Sequence, residues 1–470
     1  MGEAGEHQDT EKKFLDRRSV LRAAGIGTAA ATFSLGAGGR PARAAVVPRT
    51  RRGSAGNLPL VGGEEFPIGL YWPPPPFQTT QQRYREIADA GFNFIIAGNY
   101  LADRYIQDYA CRIADDTGIA MLLHHEPRLW AMTHILGITE NGSKPLTVST
   151  DEARTLLTQV LDTYKGHSSF AGINFFDEPG LFNRVPTVGR AFSVFRELTD
   201  ERLPYTNLAR GTSSNENRLR DFLDLVDPPL ISFDHYPLFT DSIDRTWFAD
   251  WASVRRIGLE YDLPTWTYIL SVPHLNYRAP NTAEMLWQVN VSLAYGCKGI
   301  QYFTYWTPDP ARGAGFAQGA GALLTVDGKR TERYDGAKWI NNQWLSRVGK
   351  QLKPLRSSAL GIANPPGDPP AGLPRFRPNE YVKQAPGDPV IVSRFTDPGN
   401  PAYQWVFVVN YSLDRKATAR IRFGSKVRGN GVYHFDARTD RYVQAAGHGK
   451  HLDVTLDAGA ASLYRLTVTE

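Results

Sequence analysis

Residues 172–180 read Gly172-Ile173-Asn174-Phe175-Phe176-Asp177-Glu178-Pro179-Gly180, a short apolar run closed by two acids and a Pro-Gly turn. The run is too short for a helix and carries aromatic side chains, which marks a buried strand. Proline and glycine then end it. Two adjacent carboxylates at the exit of such a strand are hard to justify structurally, so the stretch points to a cleft. The bland alternative is a solvated loop in which Asp177 caps the next helix.

Working outward, comparable runs occur at 68–72, 92–97 and 119–124 before this strand, and at 204–208, 230–233, 265–269 and 299–303 after it. Amphipathic segments lie between them, among them 81–90, 105–117, 151–164, 188–198 and 282–294. Eight strand-then-helix units predict an α/β fold of the (β/α)8 TIM-barrel type. A doubly wound nucleotide fold is disfavoured because no Gly-rich loop follows the first strand. After a helical stretch at 334–355, the Pro/Gly-rich run 364–374 marks a boundary, and seven alternating runs between 389 and 468 predict an all-β sandwich. The expected organisation is a leader over 1–44, a linker over 45–63, the barrel over 64–356, a second linker over 357–374 and the β-sandwich over 375–470.

The leader reads Asp16-Arg17-Arg18-Ser19-Val20-Leu21-Arg22, then an Ala/Gly-rich apolar stretch and Ala42-Arg43-Ala44. A charged region, a weakly apolar core and a small-x-small cleavage site in this order resemble a bacterial twin-arginine signal peptide. The resemblance implies export to the periplasm, cell wall or medium, with no stable membrane span once the leader is removed.

Bulk charge excludes little but guides the search. The formal charge is +5, and the leader holds seven Lys/Arg against five Asp/Glu, so about +3 remains on the rest, too little to argue for nucleic acid. The two cysteines, Cys111 and Cys297, fall in segments on opposite sides of the expected barrel and read as buried thiols rather than a disulfide. His124-His125-Glu126 invites a metal, but neighbouring strand residues point to opposite faces and no further His follows at ligand spacing. Neither a metal nor another cofactor is expected.

In a barrel the chemistry gathers where the strands end. The fourth strand offers Asp177 and Glu178, and the sixth, Ser232-Phe233-Asp234-His235-Tyr236-Pro237, offers Asp234. Trp72, Asn99, His125, Glu126, His235, Tyr236, Trp266, Tyr268, Gln301, Tyr302 and Trp306 are the candidate substrate contacts. Aromatic rings suit the apolar C–H faces of sugars, and acids, amides and imidazoles suit their hydroxyls, so a carbohydrate partner is expected. Any one of these aromatics could equally belong to the core.

The Asp177-Glu178-Pro179 triplet resembles that of glycoside hydrolase family 123, as do Trp266-Thr267-Tyr268 and the segment from Ala294 to Phe303. The barrel is similar to clan A glycoside hydrolases and to the uncharacterised bacterial proteins described as family-42-like. The clan A resemblance implies that Glu178 is the acid/base; the family 123 resemblance implies an Asp-Glu pair working with the substrate's acetamido group, Asp177 stabilising the developing cation. A protein nucleophile or a water activated by Asp234 or Glu126 is the other route, in which a carboxyl separation of about 5 Å implies retention and a wider one inversion. One departure stands out: clan A enzymes carry a nucleophilic glutamate at the end of the seventh strand, and 265–271 contains no carboxylate. That absence motivates a competing expectation, a barrel that binds carbohydrate without cleaving it.

Overall fold

The computed structural model describes residues 57–142, 144–313, 315–316, 320–445 and 451–469. The leader expected over 1–44 lies outside the described residues.

Eight parallel strands close a barrel: β1 (Ile68–Tyr71), β2 (Phe94–Ala97), β3 (Ala120–Leu123), β4 (Phe170–Asp177), β5 (Leu203–Ala209), β6 (Ile231–Asp234), β7 (Thr265–Leu270) and β8 (Gly299–Phe303), with β8 pairing back onto β1. The eight expected runs are these eight strands, each displaced by a few residues at most. Side chains alternate between the barrel interior and the helical layer. On β7, Trp266 and Tyr268 point inward, and on β8 Gly299, Gln301 and Phe303 do so. The barrel floor is filled by two large rings, Phe94 and Trp266, whose centroids lie 5.4 Å apart. Each needs a glycine opposite: a Cβ on Gly69 would run into the Phe94 ring, and one on Gly299 would stand 2.7 Å from Trp266.

Helices α1 (Gln81–Asp89), α2 (Arg104–Thr117), α3 (Thr150–Tyr164), α4 (Val185–Leu198), α5 (Glu216–Val226), α6 (Trp247–Tyr261) and α7 (Thr282–Ala294) form the outer layer. Their starts follow local chemistry: Asp103 caps α2, and Ser149 with Glu152 and Asn281 with Glu284 form capping boxes at α3 and α7. Helix α7 is buried on all sides from Glu284 to Ala294, although its sequence alone reads as amphipathic. The C-terminal domain covers its outer face, where Trp287 Nε1 donates to the Tyr411 carbonyl at 3.1 Å and Asn290 Nδ2 to that of Gly459 at 2.9 Å.

The C-terminal domain packs a six-stranded antiparallel sheet against a three-stranded one. The expected second linker needs correction. Arg356–Ala363 is a strand that pairs antiparallel with Val390–Thr396 at the edge of the larger sheet, so the domain begins where 357–374 was read as a connector. The run Arg-Ser-Ser-Ala-Leu-Gly-Ile-Ala alternates too weakly to announce itself before its partner is known. Cys111 and Cys297 are buried, free thiols. No helix among the described residues is long and apolar enough to cross a membrane.

Candidate active site

Three carboxyl groups meet at the C-terminal mouth of the barrel. Asp177 is the last residue of β4, whose register against β5 slips between Asn174 and Phe176. Glu178 follows in the left-handed region, φ 56° and ψ 53°, just ahead of the turn Pro179–Phe182. Such a backbone is uncommon for a residue with a side chain, and it turns Glu178 back over the barrel. Its amide donates to the Asn207 carbonyl at 3.0 Å, which pins the turn to β5. Asp234, the last residue of β6, hydrogen-bonds to the Glu178 side chain.

Asn207, on β5 between the two acid-bearing strands, ties the group together. Its Nδ2 donates to Asp234 Oδ1 at 2.6 Å and the same side chain hydrogen-bonds to Asp177. The orientation of that amide is set from below. Ser232 Oγ donates to Asn207 Oδ1 at 3.0 Å, which leaves the NH2 facing the acids. Ser232 in turn sits 2.7 Å from the Tyr205 hydroxyl, which accepts from Gln301 Nε2 at 2.6 Å. A directed chain of hydrogen bonds therefore runs from the barrel interior to the acids.

Burial and crowding push all three acids towards their neutral forms. Glu178 is raised well above the usual carboxylate range, first by burial and then by the charges of Asp234 and Asp177. Asp177 is raised by burial and by Asp234, with the Asn207 hydrogen bond opposing. Asp234 is raised by burial, with hydrogen bonds from Asn207 and Glu178 opposing. Of the three, Glu178 is the acid pushed furthest towards its neutral form, and its hydrogen bond runs to Asp234.

Aromatic groups wall this mouth. Phe303 stacks against Tyr71 on one side and Tyr236 on the other, with centroids 6.0 and 5.4 Å away, and Tyr71 meets Tyr268 edge-on at 6.2 Å. Beside them His124, His125, His134, Trp130 and Phe176 form a second ring cluster, with His134 stacked on Trp130 at 3.7 Å and on Phe176 at 4.0 Å. Burial holds these imidazoles neutral, His124 falling to about 4. Below the acids, the Asn174 side-chain amide and Gln301 Oε1 are buried without a protein partner among the described residues. Unmet buried polar atoms of this kind call for water or ligand. No group of three or more His, Cys, Asp or Glu suited to a metal ion occurs among the described residues.

The structure brings Asp177, Glu178, Asp234, Tyr236 and Tyr268 together, with Gln301 beneath them. Trp72 and His125 lie at the rim. Six other candidates are engaged elsewhere. Trp266 fills the floor. Tyr302 points outward and donates to Asn341 Oδ1 at 2.8 Å, as it must when its neighbour Gln301 points inward. Trp306 donates to the Val326 carbonyl at 3.1 Å and lies under the Arg83 guanidinium. Asn99 donates to the Pro73 carbonyl. Glu126 caps the turn Pro127–Trp130 and pairs with Arg128 Nε at 2.7 Å. His235 is clamped between Asp250 at 2.7 Å and Asp244 at 3.0 Å. Sequence reading passed over Tyr71, Tyr205, Asn207, Ser232 and Phe303. Strict alternation would have found most of them: Tyr71, not Trp72, follows Gly69 on the inward face, and Asn207 follows Tyr205.

No family model matches this chain, and no curated protein does. Among solved structures it is similar to the β-galactosidase of the psychrophilic Marinomonas ef1, with 12% identity and a TM-score of 0.46 over 62% of each chain. The GH53 catalytic domain of Ignisphaera aggregans gives 14% identity and a TM-score of 0.43 over 59% of this chain and 97% of that one. CelM2, a bifunctional glucanase-xylanase from a metagenome library, gives 11% and 0.40 over 86% and 98%. The chain thus spans less than two thirds of the β-galactosidase's length.

Proposed function

We propose that this protein is an exported glycoside hydrolase in which Glu178 protonates the leaving glycosidic oxygen. The observation that carries this reading is a glutamate whose hold on its proton is raised by burial and then by two neighbouring carboxyls, at a barrel mouth walled by Tyr71, Tyr236, Tyr268 and Phe303. A glycosidic oxygen leaves only as it is protonated, so an acid that keeps its proton at neutral pH is what the reaction needs.

The arrangement favours assistance by the substrate over a protein nucleophile. Strand β7, Thr265–Leu270, carries no carboxylate to serve as one. Asp234 is hydrogen-bonded to Glu178 itself, unlike a nucleophile or base set apart from the acid, and Glu126 is spent on its cap. In the proposed reaction the oxygen of a 2-acetamido group attacks the anomeric carbon while Glu178 gives its proton to the departing oxygen. Asp177, held by Asn207, orients that acetamido group and balances the positive charge of the oxazolinium ion. Glu178, now a carboxylate, takes a proton from water as the water opens the ring, and the anomeric configuration is retained. The twin-arginine resemblance of the segment around Arg17-Arg18 supports export, and with it a glycan outside the cytoplasm.

Incubating the full chain and its Glu178→Gln variant with plant, microbial and animal glycans, with released sugars followed by mass spectrometry, tests the reading. Release by the wild type alone is expected. Equal release by both would remove Glu178 from the chemistry, and binding without release by either would leave a carbohydrate-binding barrel.

A further inference from the structure

At the rim of the mouth the Arg312 guanidinium is packed against two aromatic rings, its central carbon 4.1 Å from the Trp72 centroid and 4.1 Å from that of Tyr100. Trp72 is buried, whereas Tyr100 is 48% exposed, so the contact is open to solvent on one side. The aromatic faces stabilise the cation but offer it no hydrogen bond. Arg312 Nε is buried and has no partner, and its side chain forms no ion pair or hydrogen bond among the described residues. A guanidinium carries five donors in a fixed plane and no acceptor, so a held and unpaired one is prepared for an oxyanion that can accept two of them at once.

Its position relative to the acids is defined. The Arg312 charge acts on Tyr71 and on His125. The cation therefore stands on the Trp72 and His125 side of the mouth, where it is felt by Tyr71, the same residue that feels Asp177 and Glu178.

We propose that Arg312 is the anion-recognising element of a subsite next to the acids, and that the glycan carries a carboxylate or sulfate on the sugar seated there. The inference rests on the carbohydrate reading of the site and adds the substrate's charge. Arginine paired with a carboxylate or sulfate forms charge-assisted, two-point hydrogen bonds.

The test probes the Glu178→Gln chain, alone and combined with Arg312→Gln, on an array of neutral, carboxylated and sulfated oligosaccharides, followed by titration of the strongest binders. The expected result is selective capture of anionic glycans and at least about a tenfold loss of affinity on Arg312→Gln, with Arg312→Lys recovering part of it. The carboxylated and sulfated arms identify which anion is read. Capture of neutral glycans as strongly as anionic ones, or anionic capture indifferent to Arg312→Gln, overturns the inference and leaves the glycosidase reading standing. Capture of no glycan overturns both.

Discussion

Glu178 hydrogen-bonds to Asp234 across the barrel mouth, although their strands, β4 and β6, are not neighbours in the sheet. The strand between them, β5, supplies Asn207, whose amide reaches the acids on either side. Two carboxyls in contact cannot both be charged in a buried site, so one keeps a proton, and the amide favours Asp177 and Asp234 as the ionised partners.

Asp234→Asn therefore lowers the affinity of Glu178 for its proton, because a negative neighbour that opposes its ionisation is gone. The alkaline limb of the pH dependence of kcat/KM is expected to move to lower pH. A limb that stays in place or moves upward would show that Asp234 does not set the protonation of Glu178.

Asp177→Asn is expected to stabilise the fold at alkaline pH. The folded-state affinity of Asp177 for its proton is raised above the unfolded value of about 4. Below that value both states are protonated and the group contributes nothing. Between that value and the folded value of about 7 the folded state binds more protons than the unfolded one, so stability falls across this window and stays low above it. Thermal denaturation at pH 8 should show a Tm about 2–4 °C higher for the variant, and at pH 4 no gain.

Asn207→Ala removes the donor common to Asp177 and Asp234 while leaving the acids in place. Turnover is expected to fall about a hundredfold or more, with KM changed much less, since a positioned donor acts mainly on the transition state. Ser232→Ala, which frees the Asn207 amide to turn over, should give the same pattern in weaker form. Steady-state kinetics on both variants decide the matter; an effect confined to KM would make Asn207 a simple binding group.

Trp266→Ala and Trp306→Phe separate core from site among the aromatics. Trp266 packs against Phe94 and Tyr205 on the barrel floor, so its truncation is expected to cost about 3–5 kcal/mol in urea unfolding. Trp306→Phe should leave glycan affinity unchanged, because its ring lies under Arg83 on the outside of the mouth. A loss of affinity without loss of stability in Trp306→Phe would return that residue to the site.

The repeated rhythm of short apolar runs and amphipathic segments was enough to determine the eight-stranded barrel, because strand and helix periods are local properties of the chain. The same is true of the all-β C-terminal domain, and of Asp177 and Glu178, which stand out as two acids at the end of a buried run. Which aromatics face the mouth was half legible: alternation separates Gln301 from Tyr302, but only the packing shows that Trp266 belongs to the floor and Tyr268 to the site. The Asn207 bridge, the contact of Glu178 with Asp234, the capture of His235 by Asp244 and Asp250, and the isolation of Arg312 against two rings were decided by tertiary structure alone. Each depends on distances between residues far apart in the chain, which closure of the barrel fixes and local periodicity does not encode.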